Sequence, residues 1–183
     1  MTTTNTYLQG QKAFLDGNLE DSIRAFSDSL EHGVHPFHSH LNRGIAYFKI
    51  GRFARAIEDF DVIINKDDVH ARALFYRGLA NLNLGENEEA IHDLDRSIAI
   101  NPERGADYLA RGLAYYALGH RAKAGKDIHD SHVLDNVELG EFIEENVLSE
   151  ALFNRTLKFF EKDDAHWNLS LTETEVQRMA IVH

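Results

Sequence analysis

The stretch Tyr76 to Pro102, YRGLANLNLGENEEAIHDLDRSIAINP, reads as a helix, a tight glycine turn and a second helix, and the chain around it repeats that reading. Set in rows of thirty-four residues, Gly10, Gly44, Gly78 and Gly112 form one column, and Gly17, Gly51, Gly85 and Gly119 form another. Self-similarity at this period marks stacked helical hairpins, each too small to bury its own apolar face alone. The first glycine column sits mid-helix, where glycine costs roughly 1 kcal/mol against alanine. Close approach of a facing helix must offset that cost. The second column follows one apolar run and precedes the next, where glycine can take the left-handed conformation that ends a helix.

Two further columns complete the pattern. Ser22, Ala56, Ala90 and Ala124 keep a small residue toward the neighbouring helix, and Phe26, Phe60, Leu94 and Ile128, four residues on, fill the core at helical spacing. The two glycine columns, the small column, the large apolar column and Pro102 together resemble the tetratricopeptide repeat family over roughly residues 5 to 135. The pattern departs from the family at Val34, Asp68 and Asn136, which stand where proline is usual. It departs again at Gly125, which replaces the isoleucine seen at Ile23, Ile57 and Ile91. The second helix of the fourth repeat is therefore expected to be the loosest. The resemblance implies an all-α fold, a right-handed α-α superhelix of four hairpins at about residues 5–34, 35–68, 69–102 and 103–136. Residues 137–183 would form an acidic helical cap and extension.

Pairing arithmetic gives a separate expectation. In an antiparallel hairpin, residues equally far from the turn lie opposite one another. Arg43 and Asp59 are equidistant from Gly51, Arg77 and Asp93 from Gly85, and Arg111 and Asp127 from Gly119; repeat one has Gln9 and Ala25 there, so both partners vanish together. This predicts three structural ion pairs, each within one hairpin rather than between hairpins.

After Asp135 the phase is lost. Residues 138 to 162 still read as a long helix able to cover the open end of a solenoid. Its acids Glu138, Glu141, Glu144 and Glu145 either dock on Arg121, Lys123 and Lys126 or form a solvated face. A capping box at Thr172 and Glu175 signals a final helix, and the intervening HWNLSL alternates like an extended strand or bound peptide.

The chain has 183 residues, 43% of them apolar, and a formal charge of -11. Of the last forty-seven residues, four are basic and ten acidic. Nucleic-acid binding needs a basic footprint, so that class is set aside. Without cysteine, neither a disulfide framework nor a thiolate metal site can form. No basic leader with an apolar stretch and no run of about 20 apolar residues is visible, so a soluble cytoplasmic protein is the plain expectation, with no membrane partner.

In the resembled family the first helix of each hairpin lines a concave groove that receives a peptide. Carried over by column, the groove residues are Leu41, Asn42, Ile45, Phe48, Arg72, Phe75, Leu79, Leu82, Leu109, Leu113 and Tyr116, with Tyr7, Gln11 and Phe14 in repeat one. From repeat two onward this wall reads as apolar, although many of these residues could equally be core between hairpins. A large apolar patch would call for a covering partner. The family's carboxylate clamp for chaperone tails is matched at only one of its five columns. Tyr7, Gln11, Asn42, Arg72 and Tyr76 stand for lysine, asparagine, asparagine, lysine and arginine.

His32, His35, His38 and His40 are the one cluster with ligand chemistry, but His38 and His40, two apart on a helix, face differently. A polar connection between repeats explains them better than a metal. No nucleophile elbow, phosphate-cradling loop or catalytic carboxylate pair is present, so neither an enzyme nor a cofactor is expected. The expectation is a protein-interaction module, such as an adaptor, assembly factor or chaperone-like protein, taking a partner's peptide or amphipathic helix in an apolar groove. The alternative is a self-associating protein whose groove holds its own or a second copy's C-terminal segment, building a homo-oligomer.

Overall fold

A computed structural model describes residues 4–134 of the chain. The long helix expected over 138–162, the HWNLSL segment and the final helix after Thr172 lie outside the described residues. So do the C-terminal cap and any occupation of a groove by that segment.

The described residues form eight helices and no strand. They are α1 (Thr4–Leu15), α2 (Leu19–Glu31), α3 (Pro36–Lys49), α4 (Phe53–Ile64), α5 (Ala71–Leu84), α6 (Asn87–Ile100), α7 (Gly105–Ala117) and α8 (Arg121–Val133). Each odd-numbered helix packs against the even-numbered one that follows it, giving four hairpins. The described residues divide into two compact units, the first three hairpins up to Ile100 and the fourth from Asn101 on. In the first unit α2 packs on α3 and α4 on α5, so each hairpin covers the apolar edge of the one before it.

The columns explain the packing. At Gly44 α3 and α4 approach closely: a Cβ there would stand 2.7 Å from the Phe60 ring and 3.1 Å from Asp59 Cβ. The turn glycine Gly85 has φ 87°, the left-handed value that ends α5 and reverses the chain. Ser22, Ala56, Ala90 and Ala124 are fully buried, as are Phe26, Phe60 and Leu94, with Ile128 nearly so. Ser22 further donates a 2.9 Å hydrogen bond to the carbonyl of Gly10, tying α2 to α1. Pro36 opens α3, where its missing N–H costs no helical hydrogen bond. Among the described residues no helix is long and apolar enough to cross a membrane.

Each of the three expected ion pairs forms. Arg43 donates from Nε and Nη2 to the two carboxylate oxygens of Asp59 at 2.9 and 2.7 Å. Arg77 does the same to Asp93 at 2.7 and 2.7 Å, and Arg111 to Asp127 at 2.7 and 2.8 Å. The expectation that pairing stays within a hairpin is too narrow. Arg43 also donates from Nη1 to Ser27 Oγ at 2.9 Å, and Arg77 from Nη1 to Asp61. Both acceptors lie on the second helix of the preceding hairpin, so one guanidinium closes its own hairpin and fastens it to its neighbour. The fork geometry of arginine makes this possible, since its donors point in fixed, separate directions. The hydrogen bond to Asp93 is the main reason the Arg77 guanidinium is held above its ordinary range, against the opposing pull of burial, with Asp61 adding to the rise.

Candidate functional site

The columns carried over as a groove wall fall on α3, α5 and α7. Leu41, Ile45, Phe48, Phe75, Leu79, Leu82, Leu109 and Leu113 are buried, Leu79 completely. Asn42 and Tyr116 are half-buried and Arg72 is exposed. The expectation of an open apolar wall therefore needs correction: its large side chains are spent on packing. In the first unit Phe48 meets Phe53 on the next helix and Tyr76 on α5, and Tyr76 stacks on Phe60 with ring centroids 6.0 Å apart. Within the first unit, α3 and α5 each touch their own second helix and the second helix of the preceding hairpin.

What stays open lies at the start of the first unit. A cleft of about 240 Å³ is lined by Gln11, Phe14, Leu15, Phe26 and Asn42. Its apolar lining is Phe14, the exposed Leu15 and the fully buried Phe26. Two amides stand on it, and both direct their NH₂ groups to the Tyr7 hydroxyl, Gln11 at 3.2 Å and Asn42 at 3.3 Å. The amide oxygens of Gln11 and Asn42 make no hydrogen bond among the described residues, which leaves two acceptors beside an apolar hollow. Arg72, the exposed member of the set, lays its guanidinium over the Tyr76 ring at 5.9 Å. Tyr7 and Tyr76 occupy clamp columns where the family's chaperone-tail receptors carry cations, so two of the clamp's positive charges are absent.

The four histidines split: His35 and His38 lie edge to face with ring centroids 6.4 Å apart, while His32 and His40 are engaged elsewhere. His32 bonds the carbonyl of Asp28 through Nδ1 at 2.7 Å, and His35 lies against Tyr7 with centroids 4.8 Å apart. His40 leaves the cluster and joins Asp59 through Nδ1 at 2.7 Å, becoming a third member of the Arg43 pair. The sequence signal for it was there, since His40 and Arg43 are three apart and share a helical face. Among the described residues no three His, Cys, Asp or Glu side chains gather as a metal site would require.

Comparison with known proteins places this geometry. No curated protein matches the chain. In the solved structure of MamA the fold is similar with TM-score 0.68 at 26% identity, over 86% of this chain and 88% of that one. The first tetratricopeptide domain of Spaghetti (RPAP3), solved bound to the HSP90 peptide SRMEEVD, is similar with TM-score 0.60 at 24% identity, over 64% of this chain and 93% of that one; at that identity the likeness is one of fold. The sequence profile described as tetratricopeptide repeat matches residues 7–68 and 41–107, more than half of the chain. With its glycine columns, its buried small and large columns and these matches in agreement, the chain belongs to the tetratricopeptide repeat family.

Proposed function

We propose that this chain is a protein-interaction module that takes an extended peptide from a partner on the first-helix face of its first unit, by binding alone and without catalysis. The repeat fold supports the general role, since it offers rigid helical faces and concentrates its sequence on packing. The observation that carries the finer reading is the cleft between Phe14, Leu15 and Phe26 with the amide oxygens of Gln11 and Asn42 beside it. A side chain of the peptide enters the apolar hollow while its backbone N–H groups donate to the two amides. Tyr7 keeps both amides oriented. The buried Leu41, Ile45 and Phe48 act behind them as a stiff backing rather than as contact surface. With the clamp cations replaced by tyrosines, recognition rests on an internal apolar residue of the peptide and not on a terminal carboxylate.

The test selects binders from a displayed library of random heptapeptides and measures the best by fluorescence anisotropy. Gln11→Ala with Asn42→Ala removes two hydrogen bonds of about 1 kcal/mol each, a loss of roughly tenfold or more in affinity. Both positions are on the surface of the helix pair, so helical circular dichroism should not change. Binding that survives the double substitution within twofold refutes this site.

A further inference from the structure

A second cleft, of about 550 Å³, opens elsewhere in the first unit. It lies between the second helices α4 and α6 with α5 beneath, lined by Ile57 and Asp61 of α4, Arg77 and Asn81 of α5, and Glu88, Glu89, His92 and Asp93 of α6. The column containing Asn81 shows what is unusual. The same place is held by Tyr47 in the second hairpin and Tyr115 in the fourth. Tyr47 lies under the Arg43 guanidinium at 5.8 Å; Tyr115 lies under Arg111 at 6.0 Å and under Lys123 Nζ at 5.0 Å. In the third hairpin the ring is replaced by the shorter asparagine. The charge is exchanged as well: Arg55 and Lys123 correspond to Glu89. Where a neighbouring hairpin carries its own ring and cation, the third presents a hollow and carboxylates.

Asn81 is the second observation. It is only 9% exposed, and its side-chain amide makes no hydrogen bond to any described residue while lining the cleft. An amide with no bond to the protein offers its oxygen and its NH₂ group to whatever enters the cleft. Around it the charges are not balanced. Arg77 is engaged by Asp93 and Asp61, whereas Glu88 and Glu89, exposed in the first turn of α6, have no ion-pair partner among the described residues.

We infer that this cleft is a docking site for an arginine side chain of a partner protein. The guanidinium reaches the Asn81 amide oxygen and the carboxylates of Glu88 and Glu89, and its aliphatic stem lies over Ile57. Arginine is favoured over lysine because its planar fork donates to several acceptors at once and loses less hydration on entering a half-enclosed site. The site shares no residue with the cleft beside Gln11 and Asn42, so either can fail without the other.

The test titrates the full chain with the capped pentapeptide Gly-Gly-Arg-Gly-Gly, followed by NMR of the asparagine side-chain and α6 backbone amides. Saturable shifts are expected at Asn81, Glu88 and Glu89, and at least tenfold weaker binding of the lysine analogue. Asn81→Tyr, which restores the neighbouring hairpins' ring without changing net charge, should weaken the arginine peptide at least tenfold. Glu88→Gln with Glu89→Gln should do the same and keeps the test intact should the tyrosine variant not fold. Asp16→Asn with Glu31→Gln, an equal charge change elsewhere on the surface, should leave binding within twofold. Undiminished binding in Glu88→Gln with Glu89→Gln, or an equal loss in the distant pair, would overturn the site; equal affinity for lysine would overturn the choice of arginine.

Discussion

Replacing Arg77 by methionine tests whether the guanidinium staple holds the first unit together. The substitution keeps most of the aliphatic stem and removes the fork, leaving two carboxylates in different circumstances. The Asp93 side chain is 2% exposed and loses both of its charge-assisted bonds, whereas that of Asp61 is 45% exposed and can turn to water. Removing one partner of a buried pair costs about 3–5 kcal/mol; the Arg77 side chain is itself 19% exposed, so partial hydration lowers the figure to roughly 2–4 kcal/mol. Nearly all of that belongs to Asp93. Asp61→Asn should cost at most about 1 kcal/mol, as for exposed pairs generally. Urea unfolding followed at 222 nm reads the difference: with a slope of about 2 kcal/mol/M, Arg77→Met shifts the midpoint down by roughly 1–2 M. A double replacement, Arg77→Met with Asp93→Leu, removes the stranded charge and should recover much of the loss. If Arg77→Met costs under about 1 kcal/mol, or if Asp61→Asn costs as much as Asp93→Asn, the burial argument is wrong.

Two glycine replacements separate close approach from backbone conformation. Gly44→Ala, normally a gain in a helix interior, should instead destabilise by about 1–3 kcal/mol because its methyl meets the buried Phe60 ring, as urea midpoints would show. Gly85→Ala meets no atom within 4 Å, so its cost of about 1–2 kcal/mol should come only from the left-handed φ, and Gly85→Asn should recover part of it. Leu79→Glu, at a residue of the expected groove wall, places a carboxylate at a fully buried position; thermal unfolding should report loss of the first unit's cooperative fold rather than a selective loss of binding.

The hairpins, their turns and the three arginine–aspartate pairs were legible because each rests on a local rule repeated at fixed spacing. Turn glycines need positive φ, the Gly44 column needs a bare backbone against Phe60, and equal distance from a turn puts Arg77 opposite Asp93. What was not legible depends on how hairpins lie against each other. The step of sixteen residues that leads forward from Arg77 to Asp93 also leads back to Asp61, as it does from Arg43 to Ser27. Only the packing of α4 on α5 tells that the backward step is also a contact. The groove wall failed as an open surface for a related reason. Periodicity identifies an apolar stripe, but a first helix in an array is covered from more than one side, and Leu79 shares its spacing with residues that a ligand could meet. The open positions instead break their columns: Gln11 stands where Ile45, Leu79 and Leu113 are apolar, and Asn81 stands where Tyr47 and Tyr115 are aromatic. In a repeat array the column consensus goes to packing, so a polar exception beside a hollow is the stronger pointer to a ligand, and both clefts in the first unit are marked by one.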